Sequence, residues 1–189
     1  MMQIIAGKHR GRKLETPQSY EIRPTGARAR EAIFNIVAHT PHPEGPMLDG
    51  AIVADICCGS GAMGLEALSR GAAHAYFIDQ SREALTLVRQ SAEKFREEAH
   101  CTFLRTEAKA LPPAPTACRV LFIDPPYRKD LLPAILQSVL LKGWLTEDGM
   151  IVAEMSVKDP FTCPDALDVI TDRTYANTRV VILRHRSLA

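Results

Sequence analysis

The sequence predicts an α/β fold: a mostly parallel sheet covered by helices on both faces, preceded by a small β/helix extension. Three observations predict it. Short apolar runs alternate with segments of helical period over most of the chain, the pattern of repeated βαβ units. The first of these runs turns at once into Gly59, Gly61 and Gly64, a G-x-G-x-x-G spacing between a strand and its helix. Finally, 189 residues with 46% hydrophobic content suffice for one good core and not for two.

Each element follows in order. Residues 1–40 begin with short β-like pieces broken by Gly7 and Gly11 and end in a helix whose apolar stripe is Ala29, Ala32, Ile33, Ile36 and Val37. A connector rich in proline, with Pro41, Pro43, Gly45 and Pro46, separates this block from the rest. The boundary is placed there, giving an extension over 1–45 and a second domain over 46–189. Beyond it, strands are expected at 52–55, 74–79, 101–105, 120–124 and 150–154, with helices at 62–69, 81–96 and 131–142, where Gly143 ends the last. Strands at 169–171 and 179–184 have little between them, which suits an antiparallel hairpin at the sheet edge.

Charge and cysteine usage narrow the function classes. The formal net charge is +1, which argues against a wholly basic binder, but residues 1–40 carry a net +4 and the remainder −3. Five cysteines, Cys57, Cys58, Cys101, Cys118 and Cys163, lack C-x-x-C spacing and are odd in number. They fit free thiols in a reducing compartment better than a disulfide frame or a zinc site. No apolar run is long enough for a membrane span. A cytoplasmic monomer without a metal is expected.

The glycine loop alone serves many nucleotide binders. The discriminator is Asp55, at the strand tip just before it. A diphosphate seated on a helix amino end would be repelled by that carboxylate, whereas S-adenosylmethionine carries an ammonium and a sulfonium that favour it. Asp79 ends the next strand, where a carboxylate can accept both hydroxyls of a ribose. Glu107, after the third strand, faces either the adenine edge or solvent. The competing role for Asp55 is to cap the helix from within the core.

The stretch Phe122-Ile123-Asp124-Pro125-Pro126-Tyr127 runs an apolar strand into a carboxylate, two prolines and an aromatic ring. As a bare tetrapeptide Asp-Pro-Pro-Tyr reads as a turn. At the end of a parallel strand beside the glycine loop it reads as a clamp for a planar amine. The Asp124 carboxylate and the Pro125 carbonyl accept the two N–H bonds, the prolines lend rigidity, and Tyr127 offers a face for a flipped base.

The segments "DICCGSGAMGLEALSRGA" and "FIDPPY" resemble two motifs of Rossmann-type amino-methyltransferases. "IIAGKHRGRKL", "RPTGARAREAIFN" and "KGWLTEDGMIVAE" resemble the RsmD-like family, bacterial enzymes that methylate the exocyclic N2 of a guanine in small-subunit (16S) ribosomal RNA. That resemblance implies a seven-stranded sheet with its last strand antiparallel, and S-adenosyl-L-methionine as cofactor. It also implies a substrate presented in the small ribosomal subunit or its assembly intermediate. Donor contacts would come from Asp55, Cys57, Gly59, Ser60, Gly61, Asp79, Gln80, Glu107 and Ala108, and chemistry from Asp124, Pro125, Pro126 and Tyr127. Cys57-Cys58 depart from the family's Phe-Ala, and Glu107 from its Asp or Asn.

The basic front end fits an RNA partner on charge alone. Lys8, Arg10, Arg12 and Lys13 around two glycines form a flexible cationic edge suited to phosphates, with Arg23, Arg28 and Arg30 as further candidates. The histidines are scattered and expected in surface or loop roles. An adenine-N6 methyltransferase, an RNA-binding assembly factor with a vestigial pocket and, last, a nicotinamide-dependent oxidoreductase are the rival readings.

Overall fold

The computed structural model describes residues 2–16, 27–126 and 131–186. In chain order it forms α1 (Ala27–His39), β1 (Ile52–Ile56), α2 (Ala62–Ser69), β2 (His74–Asp79), α3 (Arg82–Phe95), β3 (Cys101–Arg105) and β4 (Cys118–Ile123). There follow α4 (Leu131–Leu141), β5 (Leu145–Ser156), β6 (Leu167–Tyr175) and β7 (Thr178–His185). The strands make one sheet in the order β3-β2-β1-β4-β5-β7-β6. Strands β1 to β5 pair in parallel, while β7 runs antiparallel between β5 and β6. The parallel sheet, the antiparallel last strand and the terminal hairpin are as the sequence predicts.

Because side chains alternate across a strand, β1, β2 and β4 feed two separate cores. Val53, Phe77, Val120 and Phe122 point to the face covered by α1, α2 and α3, where they meet Phe34, Leu65, Leu68 and Val88. Ala54, Tyr76, Ile78, Leu121 and Ile123 point to the other, with Leu136, Val139 and the fully buried Trp144. Both faces are thus sealed, and the strand tips are the accessible part of the central sheet.

The helix α2 is buried along its whole length. Gly64 permits this: a Cβ there would lie 2.4 Å from the Phe77 ring. In α3 the Ser81 hydroxyl accepts from Ala84 N at 3.2 Å, and Arg96, left-handed at φ 62°, closes the other end.

Residues 2–16 form a hairpin bridged at Gln3 and Lys13 and laid over α2 and α3. It is fixed, not the flexible edge expected. The backbone N–H groups of Ile5 and Ala6 donate to the buried Glu66 carboxylate at 2.7 and 2.9 Å, and Lys8 N donates to Ser69 O at 2.9 Å. A Cβ on Gly7 would sit 1.9 Å from Ser69 O, so only glycine fits. Ile4 and Leu14 join the same core cluster as α1 and the sheet. The connector is pinned as well: Glu44 pairs with Arg119, and His42 lies 2.9 Å from Asp148.

Two expectations about α1 and the histidines need correction. The buried face of α1 is Ala29, Arg30, Ile33, Phe34 and Val37, so the stripe is rotated and Ala32 and Ile36 are only half-buried. His9 is buried, stacked on Phe95 and bonded to Glu97 at 2.5 Å, and is no surface residue.

Candidate active site

The sheet order sets β1 between β2 and β4, so three carboxylates come to adjacent strand tips. Asp55 is the penultimate residue of β1, in register with Phe77 and Phe122. Asp79 is the last residue of β2, and Asp124 follows the last residue of β4. The turn leaving β1 carries three left-handed residues, Cys57 (φ 61°), Gly59 (φ 50°) and Gly61 (φ 70°). Strained backbone of this kind at a non-glycine costs of order 1–3 kcal/mol and gathers at functional sites.

The two ends of this turn do different work. A Cβ on Gly61 would lie 2.5 Å from the Val88 side chain, so Gly61 lets the loop close onto α3. A Cβ on Gly59 meets nothing within 4 Å. Gly59 therefore presents bare backbone to open space at the strand tips. Asp79 holds it there: one carboxylate oxygen accepts from Gly59 N at 3.0 Å and the other from Ser81 N at 2.8 Å. Ser60 lies half-buried, its hydroxyl 3.1 Å from the Met2 sulfur.

Asp55 does not reach the open side. It is 3% exposed and accepts from Gly64 N at 2.9 Å, anchoring the first turn of α2 from beneath. The expected direct contact with a ligand's ammonium is replaced by the helix-capping role. Burial, with smaller contributions from Asp124 and Asp79, pushes its pKa up to about 8. Asp124 opens to the surface at the floor of the strand tips, yet its surroundings desolvate it and raise its pKa to about 6. Cys57 reports the same field, its thiol pushed up to about 12 by burial and then by Asp79, Asp124 and Asp55. Among the described residues no lysine or arginine forms an ion pair with any of the three acids.

The remaining sequence candidates divide. Gln80 is exposed beside Asp79, and Pro125 is buried while Pro126 is exposed beside Asp124. Glu107 is exposed and lies 3.2 Å from Lys109, and Ala108 packs at the edge of the second core. Tyr127 and Arg23 lie outside the described residues. Arg28, Arg10 and Lys13 are exposed. Lys8 is tied to Glu97 at 2.6 Å, and Arg12 donates to Lys94 O and lies over the Phe95 ring. Arg30 is a correction: it is 4% exposed, donates to Gln3 O at 2.6 Å, and faces Glu66 and Glu154, so it cannot touch RNA. Its burial is invisible in a stripe analysis that assigns every arginine to the surface.

The residues present suit a cationic nucleoside. An acid-rich mouth without basic partners among the described residues, a bare glycine backbone and a carboxylate at the second strand tip match the donor groups of S-adenosylmethionine and oppose a diphosphate. Among the described residues no group of three His, Cys, Asp or Glu is placed to hold an ion. Comparison with known proteins agrees with this geometry. The family model described as Conserved hypothetical protein 95 matches residues 2–184.

The chain belongs to that family.

Its relatives carry methyltransferase names. The Bacillus subtilis protein named "Putative rRNA methyltransferase YlbH" is 35% identical over 98% of this chain and 100% of its own. Ribosomal RNA small subunit methyltransferase D of Escherichia coli is 34% identical over 84% of this chain and 76% of its own. Among solved structures, one titled "Putative methyltransferase yhhF from Escherichia coli" superposes with a TM-score of 0.85 at 28% identity, covering 99% of both chains. The resemblance drawn from the front motifs and the Asp-Pro-Pro-Tyr segment is thereby established, and the fold is that of a Rossmann-like methyltransferase.

Proposed function

We propose that this chain transfers a methyl group from S-adenosylmethionine to the exocyclic N2 of a guanine in small-subunit ribosomal RNA. The observation that carries the reading is the set of three carboxylates at adjacent strand tips, with no lysine or arginine paired to them among the described residues, beside a glycine backbone open to a ligand. The names of the relatives supply the RNA class, and the front motifs the guanine.

In this reading Gly59, Ser60, Gly61 and Cys57 bound the donor, Asp79 and Gln80 take its ribose, and Glu107 and Ala108 line the adenine side. Asp55 acts through the loop and helix it anchors. The donor, when bound, supplies an electrophilic methyl on a sulfonium. Asp124 and the Pro125 carbonyl accept the two N–H bonds of the guanine amine, which turns its lone pair out of conjugation and towards that methyl. The nitrogen–carbon bond forms as the carbon–sulfur bond breaks, and the sulfur keeps the electron pair. The Asp124 carboxylate stabilises the positive charge on nitrogen, which then sheds a proton to solvent. Pro126 stiffens the turn, and Tyr127 stacks on the base. Residues 1–45 serve as an RNA-contacting extension of a catalytic unit over 46–189, with Arg10, Lys13 and Arg28 as exposed cations.

The test is methylation of small ribosomal subunits taken from a strain lacking the endogenous activity, using labelled donor, followed by digestion and identification of the nucleoside. Label in N2-methylguanosine is expected. Label in N6-methyladenosine would overturn the base, and none anywhere would leave a binding protein with a vestigial pocket.

A further inference from the structure

Outside the strand-tip site, one concavity of about 370 Å³ is lined by Arg82, Leu85, Thr86, Arg89, Phe103 and Arg105. It lies at the free edge of the sheet, where β3 has a neighbour on one side only. Its charge is lopsided. Three arginines line it, and among the described residues their one ion pair is a loose 3.4 Å contact of Arg89 with Glu98 in which both side chains are about half exposed. Arg82 and Arg105 form no ion pair among the described residues.

Position separates this patch from the basic hairpin. Arg105 is the last residue of β3, and its Nε donates to Gln80 O at 3.2 Å, directly after Asp79. Arg82 opens α3 two residues after Gln80. Both therefore stand at the strand tips, on the rim of the donor site. The hairpin tip instead touches Ser69, the last residue of α2, and Glu97, just past α3. At 1.5 Å per residue, the 14 residues of α3 set Lys8 and Arg10 roughly 20 Å from that rim. Lys8 and Arg12 are also held by Glu97 and Lys94.

The lining also says what kind of group would bind. Phe103 has Arg89 at 4.3 Å over its ring and Phe77 stacked at 5.6 Å, so its faces are taken and it offers no platform for a base. The arginines are exposed and the cavity is shallow, which suits a chain passing over it more than a small molecule enclosed in it. Guanidinium groups spread along a rim match phosphates spaced along a strand.

We infer that Arg82, Arg89 and Arg105 form a docking track for the sugar–phosphate backbone of the substrate RNA next to the target nucleotide. The inference rests on the methyltransferase reading above. The track positions RNA and takes no part in chemistry.

The test compares Arg82→Gln/Arg89→Gln/Arg105→Gln with Arg10→Gln/Lys13→Gln in the full chain, on small subunits over a salt series. For the first variant, KM for the subunit should rise roughly 10-fold or more, and the slope of log KM against log salt should fall by about one per arginine removed. Its kcat at saturating substrate and its affinity for S-adenosylhomocysteine should match wild type. The hairpin variant should change KM less. Unchanged KM and salt slope in the first variant, with wild type active, would overturn the track; an inactive wild type would instead sink the parent reading. If that variant fails to fold, judged by thermal melting, Arg82→Glu alone must raise KM or the inference falls.

Discussion

Buried carboxylates occur at both ends of α2 and α3, and their surroundings differ. At the end away from the strand tips, Glu66 accepts from Ile5 N, Ala6 N and Arg70, and Glu97 is bonded to Lys8 and His9. Burial pushes the Glu97 carboxyl up, but Lys8 and His9 outweigh it and hold the pKa below the usual range. At the strand tips Asp55 and Asp79 accept from backbone N–H groups, no lysine or arginine among the described residues pairs with Asp55, Asp79 or Asp124, and two of the three pKa values are raised. The first set is electrostatically complete and holds a hairpin down. The second is incomplete, and a positively charged ligand would complete it.

Breaking the complete set should cost the most stability. Glu66→Ala leaves two backbone donors and Arg70 without their acceptor, removes a compensating charge near the buried Arg30, and should lose about 3–5 kcal/mol in urea unfolding. Asp124→Ala acts on the incomplete set and should spare folding. Its kcat should drop roughly 10²–10³-fold, with donor affinity by calorimetry unchanged. Parallel loss of both would give Asp124 a different role. In the intact protein kcat should fall as pH drops through about 6, where Asp124 gains a proton and loses the charge that stabilises the methylated nitrogen.

The two sets should also respond to pH with opposite sign. The Asp55 pKa is raised to about 8, so the folded state keeps a proton that the unfolded chain has released. Stability from this group is present below about pH 4 and declines as pH rises towards 8, by on the order of 1 kcal/mol per unit. Asp55→Asn should flatten that decline in melts from pH 5 to 8 and leave acid unfolding alone. Glu97→Gln should do the reverse, because its lowered pKa contributes stability that disappears as pH falls. The smallest effect on folding is expected at Gly59→Ala, about 1 kcal/mol of backbone strain with no clash. Its consequence should show instead as weaker S-adenosylhomocysteine binding, since the added methyl projects into the site.

The sheet was legible in the sequence because its strands are buried on both faces and read as plain apolar runs. Helix α2 and the strands β2 and β3 have the bounds that periodicity and the glycines predict. Strand β5 was legible only over its apolar half: Leu145–Ser156 begins through Thr146, Glu147 and Asp148, and a register shift opposite Cys118 and Val120 hides the continuity. Strand β6 was foreshortened for a similar reason, since most of its side chains face solvent. In the site, residue type located the acids but not their direction. Asp55 and Asp79 sit at comparable strand tips, yet one turns inward to Gly64 and the other outward to Gly59. The inward turn of Arg30 depends on Glu66 and Glu154, which are remote in the chain, so no local pattern announces it.

The strand order has a consequence for how the chain is made. β1, the apolar Ile52–Ile56, is flanked by β2 on one side and β4 on the other, and β4 starts only at Cys118. During vectorial synthesis at about 5–20 residues per second, that edge of β1 waits several seconds for its mate. An unprotected hydrophobic strand edge recruits other chains. Nascent fragments halted before β4 should therefore be prone to aggregation and attractive to chaperones, and a slow codon cluster between β3 and β4 would lengthen that exposure.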